Sequence, residues 1–421
     1  MKEKRRVDFW TIVTCVLALI FLVFLVYPIG GLLKEAFVKD GAFSLDGFAE
    51  FFSKKHYYET IGHSTMIGIC VTVFSLLIGI PFSYFYTFYK LKGKKIIFVL
   101  CLLCTMSAPF IGAYAWILLM GNSGLITQAL KLIGIKGVSI YGFGGIVFVQ
   151  VLKLFPLVVI YMNGAFRDID NTLLEAAESM GCKGVERFKR VIMGLTMPTI
   201  LAAALLVFMR SFADFGTPVL IGRGYTTFPV LIYNEYLGEN GSDFHFAAAI
   251  SIIAVLVTAV IFIIQKVASN HFKFTINALH SIHPKETKGA SGVLMNVFCY
   301  VTLALALLPQ VYIINMSFRN YTNSILKPGY SLENYKKAID KNLFRAMGNT
   351  LIVSFAALAI ILVIAVLISY LVVRKNNFAN NAIDTVSMMP YIMPGAVIGI
   401  SLVIAFSRKP FSMTGTLAIM I

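Results

Sequence analysis

The sequence is poor in charge and lacks the polar surface that a soluble domain presents to water. Only 13% of its 421 residues are charged, 58% are hydrophobic, and the mean hydropathy is +0.81. Soluble domains carry roughly 25% charged residues. Several apolar runs exceed the length of about 18 residues that marks a membrane-spanning helix. The composition therefore excludes a soluble globular protein and predicts an all-α, polytopic transmembrane helical bundle in a lipid bilayer.

Motifs of enzyme chemistry are missing as well. The sequence has no GxxxxGK[ST] phosphate loop, no HExxH, no nucleophile elbow and no paired-carboxylate site. Cysteine is scarce: Cys101 and Cys104 have CxxC spacing, but no second pair and no histidine lie nearby. We therefore expect a protein that is not an enzyme, binds no cofactor itself and holds no metal.

Acidic residues are few, and the formal net charge is +16. No stripe of bases and aromatics occurs in a soluble domain, so nucleic acid is not an expected partner. Basic residues concentrate on the cytoplasmic side of membrane proteins. With a cytoplasmic N-terminus, the shorter inside loops carry the denser positive charge. We therefore predict a multi-pass protein of the cell (inner, cytoplasmic) membrane with its N-terminus in the cytoplasm.

Long apolar segments are the dominant feature that is present. The first follows "MKEKRR" and no small-x-small cleavage site ends it, so we interpret it as a retained transmembrane helix. A tenth span is predicted to begin at "GTLAIMI". The nine preceding spans are predicted at 10–33, 62–87, 96–120, 143–166, 195–221, 246–268, 293–317, 349–373 and 381–406.

The two halves of the sequence resemble one another. The segments from Gly62 and from Gly348 both run through an apolar span to Ser-Tyr and a basic loop. "MSAPFIGAYAWILLM" then matches "MMPYIMPGAVIGISLVIAF", and "GGIVFVQ" at Gly144 matches "GTLAIMI" at Gly415. A second copy of the polar stretch described next is expected near position 446, beyond Ile421. We therefore predict two tandem units with the second incomplete; either the sequence is part of a longer protein or its second half lacks that stretch.

The most polar internal stretch is "LLEAAESMGCKGVERFKRVIMGLTMP", from Leu173 to Pro198. Polar residues before it predict a helix N-terminus, and Gly181 and Gly184 predict a turn between two helices. The first helix is predicted to place Leu173, Ala177 and Met180 on one face. The second is predicted to set Val185, Phe188 and Val191 or Ile192 opposite Glu186, Arg187, Lys189 and Arg190. An amphipathic helix at the lipid headgroups is the alternative interpretation.

This stretch resembles the EAA loop of permease subunits of binding-protein-dependent ABC importers. The family pattern is Glu-Ala-Ala, three residues, Gly, nine residues, then Ile-x-Leu-Pro. Four residues match its first part: Glu175, Ala176, Ala177 and Gly181. In the second part Val191 stands for isoleucine, Met193 and Gly194 replace Leu-Pro, and Pro198 is retained.

The resemblance implies that loop 168–198 is a coupling helix that docks on a dimer of cytoplasmic ABC ATPase subunits. Those subunits would use ATP and Mg, and a solute-binding protein would deliver the solute outside the membrane. "FMRSFADFGTPVLIG" and "LIYNEYLGENGSDFHFAAAISI" are similar to permeases of the ferric iron group, often two fused units. Ferric iron is thus the implied solute, with phosphonate, thiamine or polyamine as alternatives.

The implied organisation has four parts. Residues 1–60 form an N-terminal transmembrane helix and an external segment, and residues 61–270 form the first permease unit. Residues 271–292 form a cytoplasmic linker, and residues 293–421 form the second, incomplete permease unit.

The fifth predicted span contains the candidates for a translocation path or gate. Arg210 and Asp214 lie four residues apart and are predicted to neutralise one another on one helical face. Gly216 and Pro218 are predicted to loosen the helix beyond them. A purely structural ion pair is the alternative. A secondary transporter driven by an ion gradient is the rival function, but it predicts inverted repeats, whereas the repeat here is direct.

Overall fold

A computed structural model describes residues 9–106, 109–135, 137–237, 243–271, 282, 284–286, 289–322, 325–375, 377–407 and 412–421. Helices dominate these residues, which confirms the all-α, polytopic fold. A shorter apolar helix is Gly395–Phe406. Eight described segments are long and apolar enough to cross a membrane: Phe9–Phe37, Lys55–Phe88, Phe110–Leu132, Phe143–Arg167, Gly184–Phe212, Phe244–Ala268, Gly289–Ser317 and Asn342–Arg374.

The N-terminal segment is helical over the whole predicted first span. It comprises α1 (Phe9–Phe21), a π-helical turn (Leu22–Val26) and α2 (Tyr27–Phe37). Strands β1 (Val38–Lys39) and β2 (Ala42–Phe43) then form an antiparallel hairpin, and α3 (Asp46–Ser53) follows. Asp40 and Gly41 turn the hairpin with φ of +52° and +83°, the backbone that an Asp-Gly pair favours between two strands.

The next helices divide the predicted third span, 96–120. One helix ends at Thr105 and the next is described from Pro109 onwards, while residues 107 and 108 lie outside the described residues. The helices are α4 (Lys55–Phe88), α5 (Lys94–Thr105), α6 (Pro109–Met120), α7 (Leu125–Leu132) and α8 (Phe143–Arg167).

The predicted fifth span, 195–221, is also divided, because its helix ends at Phe212. The helices here are α9 (Asn171–Ser179), α10 (Gly184–Arg187), a π-helical turn (Phe188–Ile192), α11 (Met193–Phe212), α12 (Gly216–Ile221), α13 (Phe228–Leu237) and α14 (Phe244–His271). Residues 238–242 of the segment similar to ferric iron permeases lie outside the described residues.

The second half begins with α15 (Gly289–Ser317) and an antiparallel hairpin of β3 (Arg319–Thr322) and β4 (Ile325–Tyr330). Its predicted ninth span is divided, since Pro394 caps a separate last helix. The segment "GTLAIMI" holds a 3₁₀ turn, Leu417–Met420, so the predicted start of a tenth span is not seen there. The helices are α16 (Glu333–Ala338), α17 (Lys341–Arg374), α18 (Phe378–Ser387), α19 (Met389–Ile392) and α20 (Gly395–Phe406).

The internal repeat is visible in the order and length of the helices. Helices α4 and α17 both have 34 residues, and α6 and α20 both have 12. Lys341 follows Lys55 by 286 positions, and Gly395 follows Pro109 by the same 286. The third sequence match was wrong: Gly144 lies in α8, whereas Gly415 precedes the 3₁₀ turn and breaks the common spacing.

The chain forms two compact units that do not follow its halves. The first unit joins Met1–Lys54, Ile232–Thr258 and Ser317–Ile421, and the second joins Lys55–Leu231 and Ala259–Met316. The boundaries predicted at 60, 270 and 292 follow the sequence repeat instead and stay a prediction. Of the predicted linker 271–292, the structure describes His271, Ile282, 284–286 and 289–292.

In the first unit, α1 packs against helices from the second half of the sequence. The ring of Trp10 stacks on Tyr370 with centroids 4.2 Å apart, and Thr14 Oγ1 donates a hydrogen bond to Asn380 Oδ1 at 3.0 Å. Leu17 is buried with Leu371 in one apolar cluster. The N-terminal helix therefore joins α17 and α18 in one packed group.

In the second unit, α4 packs closely against α8 and α11 through glycines. A Cβ at Gly79 would lie 2.6 Å from the Cβ of Val158, and one at Gly68 would lie 2.7 Å from the ring of Phe208. Small residues let helix backbones approach closely inside a membrane. These contacts hold together the three helices that carry the candidate site.

Replacing Gly79 with alanine is expected to destabilise the protein by about 1–3 kcal/mol, because the added methyl overlaps a β-branched side chain. Gly62→Ala is the matched control on the same helix, since a Cβ there meets nothing within 4 Å. Thermal unfolding in detergent measures both variants. Equal melting temperatures for the two variants would contradict the close approach of α4 and α8.

Candidate functional site

The polar stretch 168–198 folds as two helices with a turn between them, as predicted. The Oδ1 atom of Asp170 accepts hydrogen bonds from the Thr172 backbone N–H at 2.9 Å and from Thr172 Oγ1 at 2.8 Å. This N-cap satisfies a free N–H at the start of α9. The helix ends at Ser179, and Gly181 follows with φ of +87°, which glycine adopts without strain. Helix α9 therefore has both of its ends fixed.

The buried face of α9 differs from the predicted one. Leu174 and Ala177 are buried, whereas Leu173 and Met180 are 44% and 82% exposed. The face that the i, i+4, i+7 spacing of Leu173, Ala177 and Met180 predicts therefore does not coincide with the buried face of α9. Leu174 joins the buried cluster that contains Phe166 at the end of α8, and this packing sets the rotation of α9.

The outer face of α9 combines an acid, a small residue and exposed apolar groups. Glu175 and Ala176 are exposed, and Asn171 Nδ2 donates a hydrogen bond to Glu175 Oε1 at 2.6 Å. Val185, on the next helix, is 69% exposed. Exposed apolar groups rimmed by polar ones mark interaction surfaces. We call Glu175, Ala176, Met180 and Val185 the outer face; Ala177 lies beneath it.

The second helix also differs from its predicted pattern. Arg187, expected on the polar side, is 9% exposed, and its Nη1 donates to Glu178 Oε2 at 2.7 Å. The centroid of the Phe188 ring lies 4.8 Å from that of Tyr84. A π-helical turn from Phe188 to Ile192 widens the helix here and shifts its faces from the α-helical pattern that the prediction assumed.

Glu178 of the loop forms ion pairs with two basic residues. Its Oε2 lies 2.7 Å from Arg187 Nη1 and 3.5 Å from Lys285 Nζ. The charges of Lys285 and Arg187 hold the pKa of the Glu178 carboxyl below its usual range. A depressed pKa means that both pairs persist at neutral pH and are lost only as pH falls through the lowered value.

Pro198 lies inside a helix rather than near its beginning. The described helix runs from Gly184 through Pro198 to Phe212 without a break, so the predicted place of Pro198 in the first turn of the span was wrong. Proline lacks the N–H that would bond to the carbonyl of Gly194, and its ring crowds that carbonyl. The irregular backbone of the preceding π turn lies within two residues of Gly194.

The predicted pair of Arg210 with Asp214 was wrong. Helix α11 ends at Phe212, so Asp214 lies in the turn beyond it and shares no helical face with the exposed Arg210. Pro218 lacks the N–H that a continuous helix would bond to the Asp214 carbonyl. Asp214 instead receives two contacts from α8: Lys153 Nζ lies 3.3 Å from its Oδ1, and Gln150 Nε2 donates to its Oδ2 at 3.0 Å.

A fourth polar side chain, that of Ser211, completes this cluster. Ser211 Oγ donates a hydrogen bond to Oε1 of the fully buried Gln150. We call Gln150, Lys153, Ser211 and Asp214 the polar cluster; it joins the end of α11 to the N-terminal half of α8. Gln150 and Lys153 were not predicted as site residues. A signal was present, because Lys153 is the single charged residue between positions 143 and 166.

Gly216 and Pro218 lie on the short helix α12, next to this cluster. Both are buried, and α12 packs against α6 and α8. A cavity lined by Lys153, Thr217 and Trp116 lies between these helices. Asp214, Gly216 and Pro218 thus lie together beside Thr217, Arg210 is exposed outside the polar cluster, and the assignment of these four residues to a translocation path or gate stays a prediction.

Comparison with known families gives a match to the region that contains the outer face and the polar cluster. Residues 64–273 match the family described as "Binding-protein-dependent transport system inner membrane component". The match includes the whole stretch 168–198 and the polar cluster. The chain belongs to this family. It is therefore a multi-pass inner membrane component, and its EAA-type stretch lies inside the matched region.

Relatives of this inner membrane component include transport permeases of several substrate groups. The putative ferric transport system permease protein FbpB 1 of Haemophilus influenzae is 25% identical over 415 residues, 96% of this chain. The ferric transport system permease protein FbpB of Actinobacillus pleuropneumoniae is 24% identical over 96% of the chain. The chain spans 64% and 60% of the lengths of these two relatives. The spermidine/putrescine permease PotB of Haemophilus influenzae is 28% identical over 49% of the chain and 73% of its own length.

Solved structures of the same fold exist. A chain of a bacterial ABC transporter involved in the import of the acidic polysaccharide alginate aligns with a TM-score of 0.53 and 20% identity. The alignment covers 63% of the inner membrane component and 96% of the alginate transporter chain. At this identity the likeness establishes the fold.

Proposed function

We propose that this inner membrane component forms the membrane path of an ATP-driven importer. The outer face of α9 carries the proposal. Helix α9 is capped at Asp170 and anchored by the buried Leu174. It therefore exposes Glu175 and Ala176 to solvent in a fixed position. A helix held in this way can transmit a push from a soluble partner to the spans α8 and α11 that flank it.

The proposed partner on this face is a dimer of cytoplasmic ABC ATPase subunits, which bind and use ATP and Mg. Docking by that partner requires loop 168–198, and therefore the N-terminus, to face the cytoplasm. The dense positive charge of the shorter loops supports this orientation. On the other side of the membrane, a solute-binding protein would deliver the solute.

Ferric iron is the proposed solute. Two relatives that match 96% of the chain are named as ferric transport permeases. Polyamine and 2-aminoethylphosphonate permeases match about half of the chain, so these solutes, together with thiamine, are the second candidates. The polar cluster on α8 and α11 supplies a charged lining at membrane depth, which an otherwise apolar path needs for a charged solute.

Reconstitution tests the proposal. The full-length chain, its ATPase and its binding protein are placed in proteoliposomes, and uptake of radioactive ferric iron is measured with and without ATP inside. We expect uptake that depends on ATP and survives an ionophore that abolishes ion gradients. Spermidine, 2-aminoethylphosphonate and thiamine serve as competitors. Uptake that continues without ATP and stops with the ionophore would instead identify a secondary transporter.

A further inference from the structure

The segment that joins the two halves of the sequence returns to the coupling loop. The Lys285 N–H donates to the Phe88 carbonyl at 2.9 Å, and the Lys90 N–H donates to the Lys285 carbonyl at 2.9 Å. These bonds form a parallel β-bridge at the end of α4. Lys90 Nζ also lies 3.3 Å from Glu286 Oε1. The backbone of the linker is therefore attached to the end of α4 by hydrogen bonds that do not depend on the linker's side chains.

The side chain of Lys285 extends this attachment to the coupling loop. Its Nζ lies 3.5 Å from Glu178 Oε2, and the same oxygen accepts the hydrogen bond from the buried Arg187. A cavity of about 450 Å³ lies between α9, the end of α4 and the linker, and Glu178 and Lys285 both line it. The Glu178–Lys285 pair, whose two residues both line this cavity, is an ion-pair contact that joins α9 to the linker.

We propose that Lys285 is a positioning residue, which restrains α9 in addition to the packing of Leu174 and carries the movement of α9 through the linker into α4. The transmission of movement rests on the proposed function, because α9 moves only if a partner pushes it. An exposed ion pair adds little to global stability. Loss of Lys285 is therefore expected to loosen α9 while the fold and its melting temperature stay unchanged.

A spin label on Cys182 tests the positioning in the full chain without any partner. Cys182 lies three residues after the end of α9 and is half-buried; Cys15 and Cys70 are replaced by alanine, and the three buried cysteines stay. In Lys285→Ala and in Glu178→Gln we expect the label to reorient about twofold faster. Lys285→Arg should restore the wild-type spectrum. Glu286→Gln, which breaks only the pair with Lys90, should leave it unchanged.

The assembled transporter gives a second readout. With Lys285→Ala we expect unchanged recruitment of the ATPase, but about fivefold more ATP hydrolysed per ferric ion imported. An unchanged label in both Lys285→Ala and Glu178→Gln overturns the proposal, whether or not an ATPase binds. A faster label with an unchanged ATP ratio overturns the transmission of movement. If the label is faster but the wild-type chain recruits no ATPase, positioning stands and the importer function fails.

Discussion

Ala176→Trp is expected to abolish recruitment of the ATPase and, with it, uptake. Ala176 is exposed at the centre of the outer face, between Glu175 and the buried Ala177. A small residue there lets a partner approach the helix backbone, and an indole fills that space. A central interface residue changes binding by about 2 kcal/mol or more, so affinity should fall at least about 30-fold. Co-purification of the ATPase and uptake of ferric iron measure the effect.

The matched control for this experiment keeps the position small. Ala176→Ser leaves the space open, so recruitment and uptake should stay near wild type. Both variants should melt at the wild-type temperature, because the side chain at this position points to solvent. If Ala176→Trp folds normally and still recruits the ATPase, α9 is not the docking helix, and an amphipathic helix at the lipid headgroups becomes the better interpretation.

The sequence predicted the features that depend on composition and on local turn chemistry. Hydropathy placed six of the nine predicted spans inside described membrane-length helices, and the glycines at 181 and 184 predicted the turn after α9, because these signals act within a few residues. Hydropathy does not report whether a helix is continuous. The breaks after Thr105 and Phe212 fall inside runs that stay apolar on both sides, so the prediction passed over them.

The buried side of a helix was harder to predict than the place of the helix in the sequence. Adjacent helix residues point about 100° apart, so an error of one residue changes which side chain is buried. Leu174 rather than Leu173 is buried because the rotation of α9 depends on Phe166, which belongs to another helix. Likewise, Asp214 pairs with Lys153, which lies 61 positions away in the sequence, and not with its near neighbour Arg210. Such partners follow from tertiary packing, which no local pattern contains.

Lys153→Met is expected to destabilise the protein by about 3–5 kcal/mol, because it leaves the carboxylate of Asp214 buried without its counter-charge. The side chains of Lys153 and Asp214 are 26% and 8% exposed, so water replaces the lost partner poorly. Thermal unfolding in detergent measures the loss. Lys153→Arg keeps the charge and should retain most of the stability, and Lys131→Met, on the exposed face of α7, should have no effect.

The double variant Lys153→Met with Asp214→Asn separates stability from transport. It removes both charges, and Gln150 can still bond to the asparagine, so most of the lost stability should return. Uptake of ferric iron should stay below about one tenth of wild type, because the charged lining of the proposed path is gone. Full recovery of uptake would make the pair purely structural, the alternative that the sequence left open for this part of the molecule. If the Lys153→Met single variant is as stable as the wild type, the buried carboxylate of Asp214 does not need Lys153 as its counter-charge.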